Sequence, residues 1–335
     1  MSDTLPFQLR PNKYVERRLF VELLRMIGRI RSLHGYAYIT MGGPFLEDIK
    51  LMYSEFGIEA LLSIERDPME HKRQIFNAPL PFLQCHNVDS SALIASYYDF
   101  LNGLGDPPNV VCWLDFQNAD RTSQLADIRG LVPKLRPYDV LKVTLNAQPR
   151  TLDAVVDLMD DDDDQPDPQP LDPNLVWGTR FEALREQLGD FFPVTAEPKS
   201  MRRKELPKVL SEAVMLAIRD GLAEGIEAEL LSAFSYSDGH QMLTVTVILL
   251  PQGTSGEFLD QTELRDWPFR SKKTEDVFEI LVPSLSVRER IEIDRKINVA
   301  KNRLPDELKS FIEKLNLENY KRYCRFYPHF AKVTL

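Results

Sequence analysis

Four groups of residues along the chain carry chemistry that a ligand site needs, and each follows a short apolar run. Gly42-Gly43-Pro44 follows YAYITM, and glycines let a backbone approach a ligand closely because they have no side chain. Glu65 follows ALLSI, Asp89 follows FLQCHNV, and Asp115 follows NVVCWL. A carboxylate accepts several hydrogen bonds, and it serves as a general base or as a ligand for a divalent cation. These four groups can form one ligand site only if the fold brings them close together.

Short apolar runs alternate with helical patterns in the first half of the chain, which is typical of βαβ units and a parallel sheet. Strands are predicted at Tyr36–Met41, Ala60–Ile64, Phe82–His86, Asn109–Leu114 and Asp139–Leu145. Helices are predicted at Tyr14–Ile30, Leu46–Phe56, Pro68–Asn77, Ser90–Leu101 and Ser123–Leu135. Open α/β sheets bind ligands at the carboxyl ends of their strands. The glycine turn and the three carboxylates are therefore expected at this edge.

The second half of the chain predicts a late hairpin and a smaller α+β extension. Helices are predicted at Arg180–Leu188 and Leu206–Leu222, followed by hairpin arms at Ala228–Tyr236 and Met242–Leu250. The second arm is apolar on both faces and should lie inside the sheet. The extension is predicted to hold a strand at Val277–Val282, helices at Val287–Asn298 and Asp306–Leu315, and an aromatic tail that packs onto the core. The expected domains are residues 1–35, 36–252 and 253–335.

This order of elements resembles the class I S-adenosylmethionine-dependent methyltransferases, which have a Rossmann-like, mostly parallel sheet, over about residues 36–250. RPNKYVER, GPFLED, SIE and WLDF also look like a little-characterised bacterial branch of that family. The resemblance implies that S-adenosylmethionine is bound by Met41, Gly42, Gly43, Glu65, Asp89 and Ser90. Within that set, Glu65 takes the ribose hydroxyls, and Asp89 is preferred over Asn87 and Ser90 for the adenine amine. Asp115 is implied to be the catalytic residue at the pocket of an unknown acceptor.

The chain departs from the family's pattern at two places. Thr40 stands where the family has an acidic residue before its glycines, and Pro44 follows the second glycine. The motif for methylating an amino group, Asn or Asp followed by Pro-Pro and an aromatic residue, is replaced by Leu114-Asp115-Phe116-Gln117. O-methylation, another acceptor or no catalysis remain open. Asn146 could join Asp115 as a cation ligand, but no third ligand is evident, and no metal is expected.

The formal charge of −10 is concentrated in one segment. Residues 157–172 hold eight aspartates and no lysine or arginine, which predicts a solvated acidic loop. Residues 1–35 hold seven basic and three acidic residues. The overall acidity therefore does not exclude a nucleic-acid partner for this basic arm, although a solvated helix face explains the charge as well.

Other features predict a cytoplasmic protein with no membrane association. Cys85, Cys112 and Cys324 have no zinc spacing, and so few cysteines fit a reducing compartment. The N-terminus lacks the apolar core of a signal peptide.

Two alternatives to a methyltransferase stay open. One is a non-catalytic Rossmann-fold module that docks to a protein partner through its C-terminal part, in a bacterial defence assembly. The other is a nucleic-acid-binding protein.

Overall fold

The computed structural model describes residues 10–153, 172–283, 285–295 and 314–328, and it confirms the predicted α/β fold. The described strands form an eight-stranded sheet in the order β3-β2-β1-β4-β5-β7-β6-β8. The strands are β1 (Ala37–Thr40), β2 (Ala60–Ile64), β3 (Leu83–His86), β4 (Val110–Asp115), β5 (Val140–Asn146), β6 (Ile226–Asp238), β7 (His240–Pro251) and β8 (Phe278–Ile280). Strands β1 to β5 pair in parallel, whereas β7 runs antiparallel to β5.

The strand order creates a switch point between β1 and β4. From β1 the chain proceeds outward to β2 and β3, and it then returns to the other side of β1 with β4 and β5. Thr40, the last residue of β1, pairs with Ser63 on one side and Trp113 on the other. The loops that follow β1 and β4 therefore diverge, and such a crevice is the usual ligand position in an open α/β sheet.

The described chain also holds eleven α-helices, several of which connect consecutive strands. They are α1 (Pro11–Ile27), α2 (Glu47–Phe56), α3 (Pro68–Asn77), α4 (Ser90–Ala95), α5 (Tyr97–Gly103), α6 (Arg121–Leu131), α7 (Pro173–Leu188), α8 (Leu206–Asp220), α9 (Ser255–Gln261), α10 (Val287–Asp294) and α11 (Lys314–Tyr323). Local signals explain several ends. Asp67 caps α3 by accepting from the N–H groups of Met69 and Glu70, and Pro68 occupies the first turn. Gly57 ends α2 in a left-handed conformation.

Some predicted boundaries are wrong. The helix predicted at Ser90–Leu101 is two helices, because Ser96 leaves helical geometry between α4 and α5. The helix predicted from Arg180 begins at Pro173, where Asp172 caps the first turn. The hairpin strands are longer than predicted, since only Gly239, with a φ of +98°, separates β6 from β7. Strand β7 lies between β5 and β6, which confirms its predicted interior position.

The two faces of the parallel strands differ in polarity. Ile39, Cys112 and Val143 belong to a continuous apolar core that also includes residues of α4, α6, α7 and α8. On the opposite face several buried side chains are polar: Thr40, Ser63, Lys142, Thr144 and Thr246. The indole N–H of Trp113 donates to Thr144 Oγ1 over 2.8 Å, and the Lys142 ammonium lies 3.9 Å from the centre of the Trp113 ring.

The chain divides into two compact units. Residues 26–235 and 240–278 form one, and residues 1–25, 236–239 and 279–335 form the other. In the second unit Arg17 is buried and pairs with Glu16 over 3.0 Å, so part of the basic arm's charge is internal. Tyr320, Tyr323 and Tyr327 are buried, which confirms that the aromatic tail packs.

Residues 157–171 and most of the helix predicted at Asp306–Leu315 lie outside the described residues. The predicted domain limits stay a prediction.

Candidate functional site

The two glycines after β1 have different surroundings. A side-chain carbon added to Gly42 would lie 2.5 Å from Ser63 Oγ, so Gly42 allows the turn to pack on β2. A carbon added to Gly43 would meet nothing within 4 Å, and Gly43 is exposed. Met41, before them, is half-buried. Of the predicted cofactor-binding residues in this turn, Gly43 therefore has the open surface and Gly42 has the packing role.

Two amides of α3 hold the glycine turn. The Gln74 side chain is fully buried, and its Nε2 donates to the Gly42 carbonyl while its Oε1 accepts from Ser63 Oγ over 3.2 Å. Asn77 Nδ2 donates to the Pro44 carbonyl over 2.8 Å. Sequence reasoning missed Gln74, because a polar residue on a short helix gives no signal that it points inward.

Glu65 lies at the carboxyl end of β2 and is half-buried. Its Oε1 accepts from the backbone N–H of Asp67 over 2.9 Å, and among the described residues its Oε2 accepts no hydrogen bond. The Asn87 amide donates to the Glu65 carbonyl over 2.7 Å and to the Arg66 carbonyl over 3.1 Å. One carboxylate oxygen is thus fixed by its own loop, and the other can accept from a ligand.

The side chains of Asp89 and Ser90, after β3, form hydrogen bonds within and between helices. Asp89 is exposed and caps α4 by accepting from the Ala92 N–H over 2.8 Å. The Ser90 hydroxyl is buried and donates to Asp127 on α6, which also accepts from Ser91 over 2.8 Å. The structure therefore brings Asp89 to the same edge of the sheet as Glu65, while the Ser90 hydroxyl is turned toward α6.

Asp115 ends β4 on the side of the switch point opposite β2. Asp115 is half-buried and its Oδ1 is buried, while Phe116 beside it is buried and Gln117 and Asn118 are exposed in the loop that follows. Asn146, at the end of β5, uses its amide on backbone groups: Nδ2 donates to the Gln117 carbonyl over 3.4 Å and Oδ1 accepts from the Gln148 N–H over 2.9 Å. Among the described residues, no three His, Cys, Asp or Glu side chains come together as a metal site requires.

A buried cation, Arg121, lies at the start of α6, the helix that follows β4. Its guanidinium donates over 2.8 Å to the Asn146 carbonyl, to the Thr151 hydroxyl and to Gln187 Oε1, and none of these partners is a carboxylate. Burial lowers the pKa of Arg121 to about 10, so the group stays protonated at neutral pH. Sequence reasoning missed Arg121, since a charged residue in the first turn of a helix is ordinarily exposed.

A protein-family model matches nearly the whole chain. The model of a family described as "Putative O-methyltransferase" matches residues 5–335. The chain belongs to this family. The predicted resemblance to S-adenosylmethionine-dependent methyltransferases is thereby confirmed, and the acceptor stays unknown. No curated protein matches the chain.

Two solved structures are similar to this O-methyltransferase family member at low level. One is a mutant of the 16S rRNA (adenine(1408)-N(1))-methyltransferase from Catenulisporales acidiphilia, with 11% identity, a TM-score of 0.32, and coverage of 65% of this chain and 86% of that one. The other is a possible exported protein from Bordetella parapertussis, with 15% identity, a TM-score of 0.32, and coverage of 68% and 67%. In the described part of the chain no helix is both long and apolar enough to cross a membrane.

Proposed function

We propose that this O-methyltransferase family member binds S-adenosylmethionine at the carboxyl ends of β1 and β2 and transfers its methyl group to an oxygen of an acceptor beside Asp115. The observation that supports the proposal is the pairing of an open backbone at Gly43 with an available oxygen on Glu65. Thr40 and Ser63 are register partners, so the turn after β1 and the carboxylate after β2 leave the sheet side by side.

The residues of this edge fit the parts of the cofactor. Glu65 Oε2 accepts hydrogen bonds from ribose hydroxyls, which a carboxylate does more strongly than a neutral acceptor. Gly43 admits the cofactor close to the backbone, because no side chain fills that space. Asp89 has a second oxygen beyond the one that caps α4, and it remains our candidate for the adenine amine. When bound, S-adenosylmethionine supplies an electrophilic methyl group on its sulfonium sulfur.

Asp115 is the proposed catalytic residue. A hydroxyl acceptor must lose its proton as its oxygen forms the bond to the methyl carbon, and a carboxylate held at the edge of the crevice accepts that proton. Gln117, exposed in the same loop, is available to orient the acceptor through hydrogen bonds, and Asn118 offers its Nδ2 because its Oδ1 accepts from Gln124. The absence of the amino-methylating motif in Leu114-Asp115-Phe116-Gln117 favours oxygen over nitrogen, in agreement with the family's description.

Ligand-induced stabilisation tests the binding half of the proposal. S-adenosylhomocysteine at 100 times its dissociation constant should raise the free energy of unfolding by about 2.7 kcal/mol. Glu65→Gln should weaken binding by about tenfold or more, because charge-assisted hydrogen bonds to the ribose are lost. Glu70→Gln is the matched control, since Glu70 lies on the adjacent helix and its carboxylate pairs with Arg73 over 2.9 Å. No stabilisation of the wild-type protein would contradict the proposal.

A further inference from the structure

The turn that follows β1 has a conformation that it does not favour by itself. Pro44 restricts the backbone, and Leu46 is buried with a left-handed φ of +52°. A branched side chain is rare in that region, and such conformations persist only where the surrounding structure holds them. In this turn two carbonyl groups, those of Gly42 and Pro44, accept hydrogen bonds from side chains of α3.

Gln74 uses both ends of its amide on the turn and its neighbour strand. The Nε2 donor binds the Gly42 carbonyl, and the Oε1 acceptor binds the hydroxyl of Ser63 on β2. Asn77, three residues further and on the same face of α3, donates to the Pro44 carbonyl over 2.8 Å. A leucine at position 74 would provide neither the donor nor the acceptor, and a glutamate would provide only acceptors.

Fixing the Gly42 carbonyl also fixes the next N–H group. The peptide unit is planar and trans, so the Gly43 N–H points away from the Gly42 oxygen and therefore away from Gln74. Among the described residues the Gly43 N–H donates no hydrogen bond. Gly43 is exposed, and a side-chain carbon added to it would meet nothing within 4 Å, so this N–H belongs to an open stretch of backbone. A fixed backbone N–H of this kind suits an anionic group of a ligand.

The beginning of α3 is tied to the other side of the same site. The Asp67 N–H donates to Glu65 Oε1 over 2.9 Å, and the Asp67 carboxylate caps the helix. Glu65 is thus connected to the first turn of α3, and the glycine turn is connected to its last turn.

We infer that Gln74 is a positioning residue that aims the Gly43 N–H at the carboxylate of the cofactor's methionine part. The inference rests on the proposed function, because it assumes that S-adenosylmethionine occupies this edge. It goes further by placing the control of the contact between the glycine turn and the cofactor on Gln74 of α3, a helix that the cofactor itself need not touch.

Two ligands that differ in one part separate this role from a merely structural one. S-adenosylhomocysteine has the amino-acid carboxylate, and 5′-methylthioadenosine lacks it. Calorimetric titration of Gln74→Leu should show about tenfold or more weaker binding of S-adenosylhomocysteine, the loss expected for a charge-assisted hydrogen bond. Binding of 5′-methylthioadenosine should change less than about threefold. Gln74→Glu keeps the shape of the side chain and the acceptor for Ser63, and it should weaken S-adenosylhomocysteine binding with the same selectivity. This variant replaces Gln74→Leu in the test if Gln74→Leu fails to fold.

Gln241→Leu is a matched control. Gln241 is also buried, and its Nε2 donates to a backbone carbonyl, that of Arg203, and to a serine hydroxyl, that of Ser235. It should leave the affinity for both ligands within about twofold. Equal losses for both ligands in the Gln74 variants, or unchanged affinities, would overturn the inference while the proposed function stands. A wild-type protein that binds neither ligand would instead overturn the proposed function, and the inference with it.

Discussion

The two ends of the parallel strands use the same residue type for different purposes. At the amino end of β5, Asp139 is buried, and its carboxylate accepts from the Val110 N–H, the Arg136 N–H and the Asn109 amide over 2.7–2.9 Å. At the carboxyl end of β4, Asp115 is half-buried beside exposed loop residues. The amino edge uses the Asp139 carboxylate on the chain's own donors, whereas the carboxyl edge has an open backbone at Gly43 and an oxygen of Glu65, Oε2, that accepts no hydrogen bond among the described residues.

The comparison extends to the residues around these two aspartates. Near the amino edge Tyr97 and Cys112 are buried, and burial raises the pKa of Cys112 to about 12, so its thiol stays protonated and unreactive. At the carboxyl edge Gly43 is open and Glu65 keeps one oxygen available. Changes at the amino edge should therefore alter stability, and changes at the carboxyl edge should alter binding or methyl transfer.

Asp115→Asn should have the largest effect, because it removes the proposed general base. Transfer of labelled methyl groups from S-adenosylmethionine into a bacterial extract should fall by about 100-fold or more, the usual contribution of such a base. Binding of S-adenosylhomocysteine, measured by calorimetry, should change less than about threefold. Transfer that persists at the wild-type rate would remove Asp115 from the catalytic role.

Asp139→Ala should have the largest effect on stability. It leaves three donors buried without their acceptor, which lowers the free energy of unfolding in urea by about 3 kcal/mol. The matched control is Asp220→Ala, which removes an exposed ion pair with Arg129 and should cost less than about 1 kcal/mol. If the folded Asp139→Ala protein also lost affinity for S-adenosylhomocysteine, the separation between the two edges would be wrong.

Arg121→Met should cost about 2 kcal/mol, somewhat less than the change at Asp139. The substitution leaves three buried acceptors without their donor: a carbonyl, a hydroxyl and an amide oxygen. An acceptor without a donor destabilises the folded protein less than a donor without an acceptor. Arg121 joins the start of α6 to the end of β5 and contacts neither Gly43 nor Glu65, so affinity for S-adenosylhomocysteine should stay within about threefold of the wild type. A large loss of affinity would mean that the loops after β1 and β4 are coupled.

The pH dependence of stability should have opposite signs at the two edges, and this is the smallest effect. Burial raises the pKa of Asp139, so its contribution is greatest below the ordinary aspartate range and is lost as pH rises through the folded value. Backbone N–H groups of Glu70 and Met69 lower the pKa of Asp67, so its contribution is lost as pH falls through the folded value.

Unfolding measurements between pH 7 and about pH 3 test these signs. The stability of the wild type relative to Asp139→Asn should increase on acidification, whereas its stability relative to Asp67→Asn should decrease. Equal slopes for the two variants would contradict the assignment of one carboxylate to burial and the other to helix capping.

Much of the sheet could be predicted because its strands are short apolar runs separated by helices with local end signals. The Asp67 cap belongs to this group, since it accepts from the N–H groups of residues two and three positions further along the chain. The break at Ser96 could not be predicted, because the apolar spacing continues across it.

The residues that complete the candidate site were harder to predict, because their roles depend on partners far along the chain. Gln74 reaches Gly42, 32 positions away, and Arg121 reaches Asn146, 25 positions away. Both are polar residues on helices, for which an exposed position is the usual expectation. Only the fold reveals that both are buried.

A structure of the complex with S-adenosylhomocysteine is the most direct test of the central claim. We expect the ribose hydroxyls to donate to Glu65 Oε2 and the ligand to lie over Gly43, with its carboxylate at the Gly43 N–H. A ligand bound at another edge of the sheet, or one at this edge that leaves both Glu65 and Gly43 untouched, would contradict the account.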